Sequence, residues 1–183
     1  LGVSGVAKLG VDGMAAFLQF GGTRGHDHAD ALNLDWFVGG REVFSDTGYQ
    51  ALPGSDSSRK WHTISASHNT VAVNEETQFS SGGGLEVPEE TKSKGGQVEK
   101  NLPDAAQIAN QGRLLLWNAT SEIAQAMEAE QENAYPGVTS LFRRTVVMVP
   151  TGKGDGYLVD IFRIVGGSTH EFFLRGGLDA PYT

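Results

Sequence analysis

The chain has 183 residues, 39% of them apolar and 20% charged, enough to bury the core of one domain. Its 25 glycines argue against a helical bundle and for tight turns, and the absence of cysteine excludes thiolate nucleophiles, Cys-ligated metals and disulfides. A net charge of −8 lacks the basic footprint of non-specific nucleic-acid binding but leaves an anionic sugar open as ligand, and no apolar run is long enough for a bilayer helix.

In chain order, residues 13–20 read as a strand in which Ala15 and Phe17 alternate with Ala16 and Leu18. Residues 32–38 alternate cleanly, with Leu32, Leu34, Trp36 and Val38 on one face and Asn33, Asp35 and Phe37 on the other. Gly39-Gly40 is a two-residue hairpin signal, and residues 41–44 form the returning strand that delivers Asp46 back toward His28. Residues 50–65, with Pro53-Gly54 and several serines, read as a loop over the site. Residues 69–74 form a strand with Val71 and Val73 on one side. The low hydrophobicity and the Gly runs of residues 80–107 predict a flexible insertion spanning about 80–110.

The β pattern resumes at residues 113–119. Residues 123–130 carry helix-forming Ala, Glu, Gln and Met, yet their strand neighbours favour a strand. Tyr135-Pro136-Gly137 is a turn, residues 142–149 a strong strand, residues 151–156 a hairpin loop and residues 157–165 the next strand. Gly166-Gly167 turns the chain into residues 170–174. There is no fixed-period repeat. Many antiparallel strands with Gly-rich turns predict sheets packed face to face. With Leu1 in place of an initiator Met, no visible signal peptide and an end just past an apolar stretch, the chain reads as a piece of a longer protein.

Three short segments carry the donor groups. In Gly25-His26-Asp27-His28-Ala29-Asp30, two imidazoles at i and i+2 point to one side of an extended strand, where they can share a metal or divide metal binding from proton transfer. Ser45-Asp46-Thr47-Gly48-Tyr49 and Ser67-His68-Asn69-Thr70 supply a carboxylate and a third imidazole, so His28, Asp46 and His68 form a donor set suited to zinc. Singly, each has an ordinary reading: a hydrogen-bonded His at a strand end, an Asp in a turn. It is their convergence through the hairpin that makes the case. Rival motifs fail: the metallo-β-lactamase pattern His-x-His-x-Asp-His needs a His where Ala31 stands, and an amidohydrolase barrel needs alternating helices. His62 reads as a solvated loop residue and His170 as structural. Trp61 and Tyr49 are candidates for stacking on sugar rings, and Arg59 for neutralising a carboxylate.

The blocks Gly25–Asp35, Gly40–Tyr49 and Ser67–Val73, followed by Arg144-Thr145-Val146-Val147, Asp160-Ile161-Phe162-Arg163 and Gly166–Phe173, resemble the heparinase II/III-like polysaccharide lyases, a group that includes heparin/heparan sulfate lyases and oligo-alginate lyases. The resemblance implies an all-β fold, a large antiparallel β-sandwich (super-sandwich). Residues 1–183 would be part of that domain, lacking the N-terminal (α/α) toroid. It implies a structural zinc on His28, Asp46 and His68, with His26 as the active-site histidine of the β side. It implies cleavage of a uronic-acid-containing polysaccharide, alginate or a glycosaminoglycan, by β-elimination. In the family a Tyr, a second His and an Asn come from the toroid. No catalytic Tyr is therefore transferred to Tyr49, Tyr135, Tyr157 or Tyr182, and the chain alone is expected to be inactive or nearly so. The resemblance also implies partnership with its own toroid and a periplasmic or secreted bacterial location. The alternative is a non-catalytic carbohydrate-binding or structural β-sandwich that keeps the zinc; a metal-dependent hydrolase is a third, weaker option.

Overall fold

The computed structural model describes residues 5–21, 28–46, 48, 61–78 and 112–177. Among them, ten strands form three antiparallel sheets. The first is a meander of β1 (Val6–Val11), β2 (Met14–Gln19), β3 (Leu34–Val38) and β4 (Arg41–Phe44). The second pairs β5 (Val71–Val73) with β10 (His170–Phe172). The third is the meander β6 (Arg113–Asn118), β7 (Gln125–Glu130), β8 (Thr139–Gly152) and β9 (Asp155–Gly166). The predicted insertion at about 80–110 lies almost wholly outside the described residues.

Period-2 alternation sets the faces. In β2, Met14, Ala16 and Leu18 are buried, whereas Ala15, Phe17 and Gln19 are half-buried. In β8, Phe142, Arg144, Val146 and Met148 point inward. One apolar core joins Leu9, Ala16, Leu18 and Leu34 of the first sheet to Met127, Phe142, Val146 and Met148 of the third, with Val71 and Val73 of the second between them. Sheets that bury their inner faces against each other make a sandwich, and the all-β expectation holds. Gly39 and Gly40 have φ of 59° and 77°, the positive pair that a two-residue turn matched to strand twist requires. β7 is a strand despite its helix-forming composition, because Met127 and Ala129 face the core at a period of two.

Several elements differ from the sequence reading. β1 was not anticipated, although Ala7, Leu9 and Val11 alternate with outward Lys8 and Gly10. β8 and β9 run through most of the expected 151–156 loop, leaving a turn at Lys153 and Gly154. β5 covers only the middle of 69–74, because Asn69 and Thr70 spend their polar groups on side-chain bonds. Leu32 is buried but sits at φ 60° in a turn, so β3 starts two residues later.

Among the described residues, Arg144 is the largest fully buried side chain. A buried guanidinium is tolerated only when its donors are satisfied. It donates to both carboxylate oxygens of Asp160 at 2.9 and 2.5 Å and to the carbonyls of Leu32 and Asn69 at 2.7 and 2.5 Å. Its plane lies over Phe162 and Phe172. The third sheet thereby grips the two loops that carry the polar residues described next.

Candidate metal centre

The β3–β4 hairpin sends the chain to Asp46, and the 3-10 turn Ser65–Ser67 ends at His68. His28 approaches from the segment ahead of β3. One ligand atom from each of His28, Asp46 and His68 lies within 4.8 Å of the others. The His28 and His68 rings are 5.3 Å apart, centre to centre, and His68 Nδ1 is 3.2 Å from Asp46 Oδ1. Zinc bonds of about 2.0–2.1 Å in a tetrahedral arrangement place ligand atoms roughly 3.3 Å apart. The His68–Asp46 pair already matches that spacing, and His28 offers a ring nitrogen within 4.8 Å of both.

The donor chemistry fits a cation. His68 is fully buried, and its Nε2 lies 3.0 Å from the His62 carbonyl. A carbonyl only accepts, so Nε2 carries a proton, which leaves Nδ1, facing Asp46, as the nitrogen that can offer a lone pair. That Nδ1 is buried and makes no well-formed hydrogen bond, although a carboxylate oxygen stands opposite. Two lone pairs converging on one point are what a metal satisfies, and the carbonyl bond behind the ring is the support that orients a ligating imidazole. Burial pushes the His68 pKa down, but the facing Asp46 carboxylate and the charge of Asp30 outweigh it, for a net rise, so a proton competes with a cation for Nδ1. For Asp46, burial raises the pKa and is outweighed by the His68 bond and charge and by the Gly48 N–H, for a net fall.

A layer of polar side chains fixes these donor groups. Asp35 Oδ1 accepts from the Asp46 backbone N–H at 2.7 Å, and Asp46 Oδ1 accepts from Gly48 N–H at 2.8 Å. Asn33 donates to Asp35 Oδ1 at 3.3 Å and accepts from Asn69 N–H at 2.8 Å, tying the Asp46 loop to the His68 loop. Asp30 accepts from Gln19 at 3.0 Å. Burial pushes its carboxyl up to about 7, against the pull of His68; burial also raises Asp35. None of Asn33, Asp35 or Asp30 was singled out by sequence reasoning. The signal available was the row of polar residues, Asn33 and Asp35, opposite the apolar face of the expected strand, with Asp30 just ahead of it.

His26, Tyr49 and Arg59 lie outside the described residues. Trp61 is 45% exposed, with the Arg175 guanidinium 5.2 Å from its ring centre. His62 is corrected: it is half-buried and its carbonyl orients His68, rather than being a solvated loop residue. His170 is structural, its Nε2 lying 2.8 Å from the Gly166 carbonyl. Tyr135 is a core residue: its hydroxyl donates to the Glu76 carbonyl at 2.9 Å and accepts from Val73 N–H at 3.1 Å, and burial pushes its pKa up to about 12. It is no base at neutral pH. No helix among the described residues is long and apolar enough to cross a membrane.

No curated protein matches the chain. Among solved structures, a heparinase III gene product is similar at a TM-score of 0.61 and 17% identity, over 92% of this chain and 22% of its own. The heparan sulfate lyase HepC from Pedobacter heparinus is similar at a TM-score of 0.60 and 14% identity, over 90% and 21%. A further heparinase III structure gives 0.52 and 16%, over 94% and 23%. These likenesses are likenesses of fold, and the chain spans about a fifth of each relative's length. The family described as Heparinase II/III-like, C-terminal matches residues 10–159. With that match over most of its length, on a β-sandwich that gathers His28, Asp46 and His68, the chain belongs to the heparinase II/III-like C-terminal family.

Proposed function

We propose that this chain is part of the β domain of a polysaccharide lyase that cleaves a uronic-acid-containing polysaccharide by β-elimination. Support comes from the family membership and from the likeness in fold to a heparinase III and a heparan sulfate lyase. The observation that carries the reading is the convergence of His28, Asp46 and His68 from three segments. These residues would hold zinc, which when bound supplies a cross-link between loops. A structural cross-link of this kind adds its binding free energy to folding.

His26 stands two residues before His28 in sequence and is assigned the proton work. The reaction removes the weakly acidic C5 proton of a uronic acid and expels the glycosidic oxygen from C4, leaving a double bond. Negative charge builds on the uronate carboxyl as the proton leaves, so cationic and hydrogen-bonding groups near that carboxyl lower the barrier. An imidazole titrating near neutrality suits the transfer of a proton to or from the sugar. A Tyr, a second His and an Asn would come from a helical toroid, and the present chain by itself would turn over little or nothing. Trp61, Tyr49 and Arg59 are assigned to the sugar, with Trp61 offering an exposed ring for stacking. Residues at about 80–110 would form a flexible insertion. Alginate and glycosaminoglycans are the substrate classes, and a periplasmic or secreted location follows from such polymers.

The test is an assay of the full-length protein on alginate, heparan sulfate and hyaluronan. An ultraviolet-absorbing unsaturated uronate should appear with at least one polymer, and His26→Ala should abolish it. Release of saturated, hydrolysed products, or of none from any uronan, contradicts the reading.

A further inference from the structure

Arg113, Arg143, Arg144 and Arg163 each pair with a Glu or Asp carboxylate. Arg175 differs. It is half-buried and, among the described residues, has no carboxylate within ion-pair distance. Its guanidinium lies 5.2 Å from the Trp61 ring centre and 5.4 Å from that of Phe173. One terminal nitrogen donates to the Ala66 carbonyl, and Nε is buried without a partner. A guanidinium has five N–H donors in a planar fork, and protein acceptors here take up few of them. Among the described residues no carboxylate neutralises this partly desolvated cation and its Nε finds no acceptor, a deficit that an anion from outside would make good.

Its position connects it to the metal centre. The Arg175 backbone N–H donates to Asn69 Oδ1 at 2.6 Å, and its side chain holds Ala66. Those residues flank the ligand His68. Trp61 precedes His62, whose carbonyl orients the same imidazole. The pair therefore presents a cation and a 45% exposed indole beside one loop, the combination that fits an acidic sugar: the fork takes a carboxylate edge-on and the indole takes the apolar face of a ring.

We infer that Arg175 and Trp61 form a subsite for the carboxylate of a uronic acid residue. This rests on the lyase reading and adds to it a binding residue, Arg175, more than a hundred positions along the chain from Trp61. The experiment is calorimetric titration of the full-length, zinc-loaded protein with a uronic acid tetrasaccharide and with its carboxyl-reduced, neutral counterpart, paired with an assay for unsaturated product. Arg175→Gln should weaken binding of the acidic tetrasaccharide about tenfold and raise KM, while binding of the neutral one and zinc content stay as in wild type. Should Arg175→Gln fail to fold, Trp61→Ala removes the stack from an exposed position and should weaken binding of both sugars, the acidic one more. Arg175→Lys keeps the charge without the fork and should recover part of the lost affinity.

Unchanged affinity for the acidic sugar in a folded Arg175→Gln protein overturns the subsite, as does an equal loss for both sugars, which marks a purely structural role. If that protein is unfolded, equal losses for the two sugars in Trp61→Ala overturn it. In each of these cases wild-type turnover leaves the lyase reading standing. Wild-type protein that neither binds nor cleaves uronate oligosaccharides overturns the lyase reading, and the subsite with it.

Discussion

The β6–β9 sheet and the loops around His68 are held by different means. In the sheet, inward Phe142, Val146 and Met148 repeat every second residue along β8, and antiparallel backbone ladders join the four strands. Around His68, buried Ser65, Ser67, Asn69, Thr70 and Gln78 have few ladder bonds. Side chains replace them: Gln78 donates to Thr70 Oγ1 at 3.0 Å and to the Val71 carbonyl at 3.2 Å, and Ser65 to the Ala29 carbonyl at 2.7 Å. Burial of apolar area tolerates changes of shape, whereas a polar network loses partners one by one and leaves each widow buried. The sheet thus supplies stability and the loops supply geometry.

The largest expected effect separates the two. Phe142→Ala, in the fully buried core, should cost about 3–5 kcal/mol by denaturant unfolding, with zinc affinity of the folded fraction unchanged. A matching loss of affinity would mean that the sheet also shapes the site. Next comes removal of the metal. With free zinc near 1,000 times its Kd, a chelator should lower wild-type stability by about 4 kcal/mol, and the metal-free His28→Ala protein should not respond to chelator at all.

Asp35→Ala sharpens the contrast from the loop side. Losing the acceptor for the Asp46 N–H should weaken zinc binding about 10–100-fold in a chelator competition, while the melting of the metal-free protein shifts far less than in Phe142→Ala. The smallest effect belongs to the outer face of the sheet. Glu130 is buried between Arg113 and Arg143; burial raises its pKa, but hydrogen bonds and charge from both arginines outweigh that and set it below its ordinary 4.5. A carboxylate with a depressed folded pKa stabilises the fold above its unfolded pKa and loses that contribution as pH falls through the folded value. Acid titration below about pH 4.5 should therefore show a stability loss that Glu130→Gln lacks.

The same contrast explains what the sequence made legible. Alternation and the Gly39-Gly40 pair marked most strands because those signals are local, and donor residue types brought together by the expected hairpin nominated His28, Asp46 and His68. The strand β1 escaped because its inward row, Ala7, Leu9 and Val11, is short and flanked by Gly and Lys. Arg144, Arg175, Asn33 and Asp35 escaped for another reason. Their roles depend on acceptors and donors far away in sequence, such as Leu32 and Asn69 for Arg144, and no periodicity records such a partnership. His62 shows the limit most directly: its side chain drew attention, but its backbone carbonyl does the orienting.

Zinc-edge X-ray absorption with metal stoichiometry, on wild type and on Asp46→Ala, tests the centre most directly. One zinc per chain, ligated by two imidazoles and a carboxylate oxygen and lost in Asp46→Ala, is the predicted result. Wild-type protein that takes up no zinc in stoichiometric amount, or an Asp46→Ala variant that keeps the wild-type spectrum, would contradict it.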